Sequence, residues 1–191
     1  MLMNPSENLR IIAIIPARGG SKRLPGKNIY PFKGKPLMVH TIDACRNSKY
    51  IQEIFVSSDD DEILRVAADN DCVPLKRPDL LADEKTPKVI AIRQAVEDPL
   101  VSAQGKPDII IVPQANSPEI SAEQMDSGFE LMFKHNLWEV MSANPNGVQN
   151  AAFRIVKYHA LFNDFLSAHC GFVIAESTDV HTLEDLKKLE D

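Results

Sequence analysis

Ile11-Ile12-Ala13-Ile14-Ile15-Pro16-Ala17-Arg18-Gly19-Gly20-Ser21-Lys22-Arg23-Leu24-Pro25-Gly26-Lys27-Asn28 is the stretch on which the reading of the whole chain turns. An apolar run of strand length ends at Pro16 and opens into a loop with three glycines and four cations. Glycines allow positive φ and let backbone N–H groups approach phosphate oxygens, while Arg18, Lys22, Arg23 and Lys27 supply the opposing charge. That composition suits a nucleotide triphosphate. The spacing differs from G-x-x-x-x-G-K-[ST], because five residues separate Gly20 from Gly26 and Asn28 stands at the hydroxyl position. A G-x-G-x-x-G string is also absent. The alternative is a solvated basic loop between a strand and a helix.

Outward from this loop, elements of strand and helix character alternate. The predicted strands are residues 10–16, 51–57, 72–75, 108–112, 140–143, 151–157 and 171–175, and the predicted helices are 36–48, 60–69, 86–96, 121–135, 160–166 and 182–190. Thr86 is the expected N-cap of the third helix, with Pro87 at its first position. Such alternation implies an α/β fold of three layers, a mostly parallel twisted sheet with helices on both faces. Ligands then bind beyond the carboxyl ends of the strands. The loop at 17–28, the turn Ser57-Ser58-Asp59-Asp60 and the loop at 113–120 are therefore expected on one rim, around one cleft.

Composition narrows the possible partners. The chain has 191 residues, 44% of them hydrophobic, and a net charge of −6, enough for a sizeable core and unsuited to general nucleic-acid binding. The absence of repeats and long linkers suggests one domain over 1–191, with 1–10 flexible. Cys45, Cys72 and Cys170 are odd in number and lack C-x-x-C spacing, which favours reduced thiols and a cytoplasmic setting over disulfides or zinc. No apolar run approaches the roughly 18 residues of a membrane span, and residues 1–10 lack the core of a signal peptide. The histidines share no ligand spacing, and Trp138 and the phenylalanines read as core.

Pro16-Ala17-Arg18-Gly19-Gly20-Ser21-Lys22-Arg23-Leu24-Pro25-Gly26-Lys27-Asn28, followed by Pro31-Phe32-Lys33-Gly34-Lys35-Pro36-Leu37, resembles the N-terminal signature of the acylneuraminate cytidylyltransferases, the CMP-nonulosonate synthetases. Further blocks resemble that family in the same order: Val56-Ser57-Ser58-Asp59-Asp60, Arg77-Pro78 with Leu81-Ala82, Pro113-Gln114-Ala115-Asn116-Ser117-Pro118, and Ser177 to Leu186. The resemblance implies the fold of nucleotide-diphospho-sugar transferases, a Rossmann-like sheet. It also implies CTP and an acidic sugar as substrates, Mg²⁺ as cofactor, and a possible homodimer. By resemblance Ala17, Arg18, Gly19, Gly20, Ser21, Lys22, Lys27, Asn28, Arg77, Thr86 and Lys88 would bind the nucleotide, with Arg18, Lys22 and Lys27 holding the triphosphate during transfer. Gln114, Asn116 and Ser117 would meet the sugar, and Asp179 with His181 would occupy the metal positions.

The departures are specific. Glu119 and Ile120 replace a leucine and an arginine of the family pattern, and His181 replaces an aspartate, although imidazole is a poor Mg²⁺ ligand. Asn144 to Asn150 replaces a segment of a few dozen residues that contributes to the dimer and the sugar pocket. Three alternatives stay open: a pairing of Arg77 with Asp79, a 182–185 block that simply caps the last helix, and a protein that uses another sugar or base or binds CTP without turnover.

Overall fold

In the computed structural model, which describes residues 8–83, 85–165 and 167–190, the apolar run becomes β1, Ile11–Pro16, inside a seven-stranded sheet. Strand geometry sends alternate side chains to opposite faces. Ile11, Ala13 and Ile15 enter one core and Ile12 and Ile14 the other, all fully buried. A strand apolar on both faces requires cover on both.

The remaining strands of this sheet are β4 (Glu53–Ser58), β5 (Val73–Lys76), β6 (Ile109–Pro113), β7 (Glu139–Ala143), β8 (Gln149–Lys157) and β9 (Cys170–Ile174), while β2 (Pro31–Phe32) and β3 (Lys35–Pro36) form a small hairpin. The order is β5-β4-β1-β6-β8-β7-β9. All neighbours run parallel except β8, which is antiparallel to both β6 and β7. Helices α1 (Leu37–Arg46), α2 (Asp61–Asp69) and α5 (Ala122–His135) cover the face of Ile11, and α3 (Lys88–Val96), α4 (Pro99–Ser102) and α6 (Tyr158–Leu161) cover the face of Ile12. The expected three-layer α/β architecture is what the chain adopts.

A third apolar cluster positions the site. Leu24 of the glycine loop and Phe32 just after it pack with Leu37, Val180 and Leu186, the last on α7 (Leu183–Lys188). Residues from both ends of the chain thus meet beside the loop. The helix caps follow the sequence: Asp60 accepts from the N–H groups of Glu62 and Ile63, and Ser121 with Gln124, and Thr182 with Asp185, form capping boxes.

Several expectations fail for identifiable reasons. Thr86 is not a cap: its N–H donates to Asp83 Oδ1 at 2.6 Å, and α3 starts at Lys88 after Pro87. The helix expected at 160–166 is α6, which starts at Tyr158 and ends at Leu161, and beyond its end Arg93 donates to the carbonyls of Leu161 and Asn163 at 2.9 Å; Leu166 lies outside the described residues. Of the segment expected to be flexible, residues 1–7 lie outside the described residues. Leu9 and Arg10 are ordered, the Arg10 N–H donating to Asp108 and its guanidinium pairing with Glu53 at 2.7 Å.

Not every phenylalanine is core either, since Phe165 and Phe172 are exposed, the latter on β9 at the sheet edge. Trp138 is half-buried against the rings of His159 and His169. Cys45 and Cys72 are free and buried, burial pushing the Cys72 thiol up to about 11, and Cys170 is free and exposed. Among the described residues no helix is long and apolar enough to cross a membrane.

Candidate active site

The loop after β1 is held from several sides. The Ala17 N–H continues the pairing with β4 by donating to the Ser57 carbonyl at 3.0 Å, and the Gly19 N–H donates to Asp59 Oδ1 at 3.1 Å. Buried Asn28 donates from Nδ2 to the Arg18 carbonyl at 2.9 Å, and the Ser21 N–H to the Gly19 carbonyl. Several amides of the loop are therefore engaged inside the protein.

The glycines have different reasons from the one expected. Of the three glycines in this loop, Gly26 alone takes a positive φ, 65°. A Cβ on Gly19 would lie 2.6 Å from Asp60 Oδ2, so the requirement there is close approach to the cap of α2. Gly20 faces open space.

Around this loop is a cavity of about 400 Å³ beyond the carboxyl ends of β1, β5 and β6. Arg18, Ser21, Lys22, Lys27, Asn28, Arg77, Thr86, Lys88, Gln114, Asn116, Asp179 and His181 of the predicted set all line it. Ala17, Gly19, Gly20 and Ser117 do not. The wall also carries Arg23 and, unforeseen as a site residue, Asp83, so six Lys and Arg side chains face two carboxylates. The expected rim forms, although the Ser57 to Asp60 turn supports it from behind.

Arg77 illustrates that support. It is 5% exposed and donates to the Ser57 hydroxyl and carbonyl, at 3.2 and 2.8 Å, making no pair with Asp79. Burial depresses its pKa, against the pull of Asp59. Loss of hydration likewise lowers the pKa of Lys27, with Asp179 opposing and Arg23 and Arg18 adding to the shift.

On the far wall, Asp179 is fixed by the loop after β6. Its Oδ1 accepts from Asn116 Nδ2 at 2.8 Å and from the Ser117 hydroxyl at 3.2 Å. The Val180 carbonyl accepts from Asn116 Nδ2 at 2.8 Å and from Lys27 Nζ at 2.9 Å, and the Val180 N–H donates back to the Asn116 carbonyl. Glu119 takes the Thr178 N–H at 2.7 Å. This role for Glu119 escaped the sequence reading, where the residue registered only as a departure from a pattern. His181 Nε2 stands 3.6 Å from Asp179 Oδ2, and the His181 and Thr182 N–H groups cap onto Asp185, lowering the Asp185 pKa. The block thus caps α7 and delivers a carboxylate to the cavity.

A second cavity of about 420 Å³ adjoins the first and shares Lys88, Gln114 and Ala151 with it. Its other walls are largely apolar, from Val89, Ile92, Val112, Phe153 and Leu161, with Gln149, Asn150 and Arg154 as polar groups. The start of β8, Gln149 to Ala151, therefore forms part of this second space.

A sequence model of the family described as Cytidylyltransferase matches residues 12–164, most of the chain. The chain belongs to the cytidylyltransferase family. Among relatives, this cytidylyltransferase family member is 43% identical over 90 residues to a pseudaminic acid cytidylyltransferase of Campylobacter jejuni, covering 47% of this chain and 39% of that protein. It is 56% identical over 59 residues to a CMP-N,N'-diacetyllegionaminic acid synthase of Legionella pneumophila, covering 31% and 25%. The aligned stretches thus span well under half the length of these two curated relatives. A solved CMP:2-keto-3-deoxy-manno-octonic acid synthetase complexed with CTP superimposes with a TM-score of 0.76 at 16% identity, over 94% of this chain and 96% of that one. That likeness establishes the shared fold.

Proposed function

We propose that this chain is one nucleotidyltransferase domain that activates a nonulosonic acid with CTP, forming a CMP-sugar and releasing pyrophosphate. One observation carries the reading: a cation-lined cavity at the strand ends opens onto a second, mostly apolar cavity across Lys88, Gln114 and Ala151. A triphosphate and a polyhydroxylated acceptor need two such spaces with their reacting ends in contact. The names of the relatives support cytosine as the base and a nonulosonic acid as the sugar.

In this reading the anomeric hydroxyl attacks the α-phosphate, one P–O bond forms, and the bond to the β-phosphate breaks. No side-chain nucleophile is required. Arg18, Lys22 and Lys27 bind the triphosphate and stabilise charge developing on the pyrophosphate leaving group. Buried Arg77 stiffens the end of β4, and Gln114 offers an amide that can donate to and accept from sugar hydroxyls. Asn116 and Ser117 act through Asp179, which they orient.

Mg²⁺ fits this site in one way. No group of three or more His, Cys, Asp or Glu suited to a metal occurs among the described residues, and Asp179 offers one carboxylate whose Oδ1 is already hydrogen-bonded. Mg²⁺ accepts one or two protein carboxylates when phosphate and water complete its oxygen shell, so Asp179 would hold it and His181 would not be a ligand. Bound there, the ion would neutralise phosphate charge.

The test is pyrophosphate release from CTP and Mg²⁺, with and without pseudaminic, legionaminic and N-acylneuraminic acids and 3-deoxy-manno-octulosonate. Sugar-dependent release is expected. CTP binding without release across this panel would exclude the proposed transfer to these acids.

A further inference from the structure

The acceptor proposed above has a feature that constrains the site. In a 2-keto sugar acid the anomeric carbon carries both the attacking hydroxyl and the carboxylate. The carboxylate must therefore approach the α-phosphate whenever the hydroxyl does, and two anions are brought together where the cavities meet. Bringing them together without a cation between them is costly, since like charges in a cleft are poorly screened.

Among the described residues three line both cavities, and Lys88 is the charged one. It is the first residue of α3, which leaves its position set by a helix rather than a free loop. Arg154, the other cation on the wall of the second cavity, donates from Nε and Nη2 to Glu139 Oε2 at 3.1 and 2.7 Å, and that glutamate is 1% exposed. Its charge is thus already matched by a buried partner. Lys88 still reaches solvent, but the surrounding walls displace hydration and lower its pKa, with Asp179 pulling the other way.

We infer that Lys88 contacts the acceptor carboxylate and the α-phosphate together, and that it selects sugars bearing a carboxylate on the anomeric carbon. This rests on the reaction proposed above. It assigns to Lys88 a part in acceptor choice beyond nucleotide binding.

The experiment uses a sugar acid that the wild-type chain turns over and its C1 carboxamide, which keeps the anomeric hydroxyl and loses the charge. CTP affinity is measured separately by calorimetry. The wild type should prefer the acid by about 30-fold or more in kcat/KM. K88M should bring the two substrates to within about 3-fold of each other while CTP affinity changes less than the acid preference, and K88R should restore much of the preference. An acid-to-amide ratio unchanged in K88M overturns the inference, as does a loss of CTP affinity that lowers turnover of both substrates equally. Absence of release by the wild type with every sugar acid overturns the parent reaction, a result distinct from failure of Lys88 alone.

Discussion

Lys27 Nζ donates to the carbonyl of Val180 at 2.9 Å, joining the glycine loop to a residue 153 positions later in the chain. The same carbonyl accepts from Asn116, so three segments share one oxygen. The Lys27 cation on the cavity wall is thereby held by the segment that carries Asp179.

Lys27→Ala removes both the charge and the tether. CTP binding should weaken by about 1.5–3 kcal/mol, the range for a hydrogen bond to a charged group. Calorimetry checks the affinity and chemical denaturation checks the tether. Unaltered CTP affinity would remove this lysine from the triphosphate site.

A second prediction concerns alkaline pH. Lys27 and Lys88 have pKa values below the usual lysine value, so they lose protons first, in a window below about 10.4. Across that window the unfolded chain binds more protons, and the folded apo state gains stability with rising pH. Triphosphate binding needs the ammonium forms, so affinity should fall over the same window and CTP should drive proton uptake. Calorimetry in two buffers of different ionisation enthalpy at about pH 9.5 measures that uptake directly. Identical heats in both buffers would contradict it.

Gly19→Ala tests close approach. The added methyl would meet Asp60 Oδ2 at 2.6 Å and Asp60 Cβ at 2.7 Å, forcing the cap of α2 aside. Loss of such a cap costs about 0.5–2 kcal/mol. Urea denaturation should show this loss, whereas Gly20→Ala, with open space around it, should show much less.

His181→Asp places a second carboxylate beside Asp179, where the imidazole now stands 3.6 Å away. Mg²⁺ should then strengthen CTP binding more than it does in the wild type. Calorimetric titration of CTP at several Mg²⁺ concentrations reads this without turnover. Equal Mg²⁺ dependence in the two proteins would place side chain 181 outside the metal's reach.

Periodicity made the fold legible: the two-faced burial of Ile11 to Ile15 needs a covered parallel strand, and the glycine loop marks its carboxyl end. Local chemistry also offered Thr182 with Asp185 as the cap of the last helix, which they form. What sequence could not supply was partnership across long separations. Arg77 looks like a loop arginine until Ser57 is seen beneath it, and Glu119 looks like a lost leucine until Thr178 is seen against it. Each depends on atoms brought together by the finished sheet. The hydrogen bonds from Asn116 and Ser117 to Asp179 were hidden for the same reason.

The meeting of Leu24, Phe32, Val180 and Leu186 also bears on the order of folding. Helices gain contacts over short separations and the central strand pairs join Ile12 to Glu53 and Ile11 to Ile109, whereas this cluster brings Leu24 to Val180 and repays loop-closure entropy only after the longest of these segments has closed. Refolding should therefore produce a sheet with native-like far-ultraviolet signal before it produces a nucleotide-competent cleft. Recovery of CTP binding should lag recovery of secondary structure, and the lag should lengthen when Leu186 is truncated to alanine.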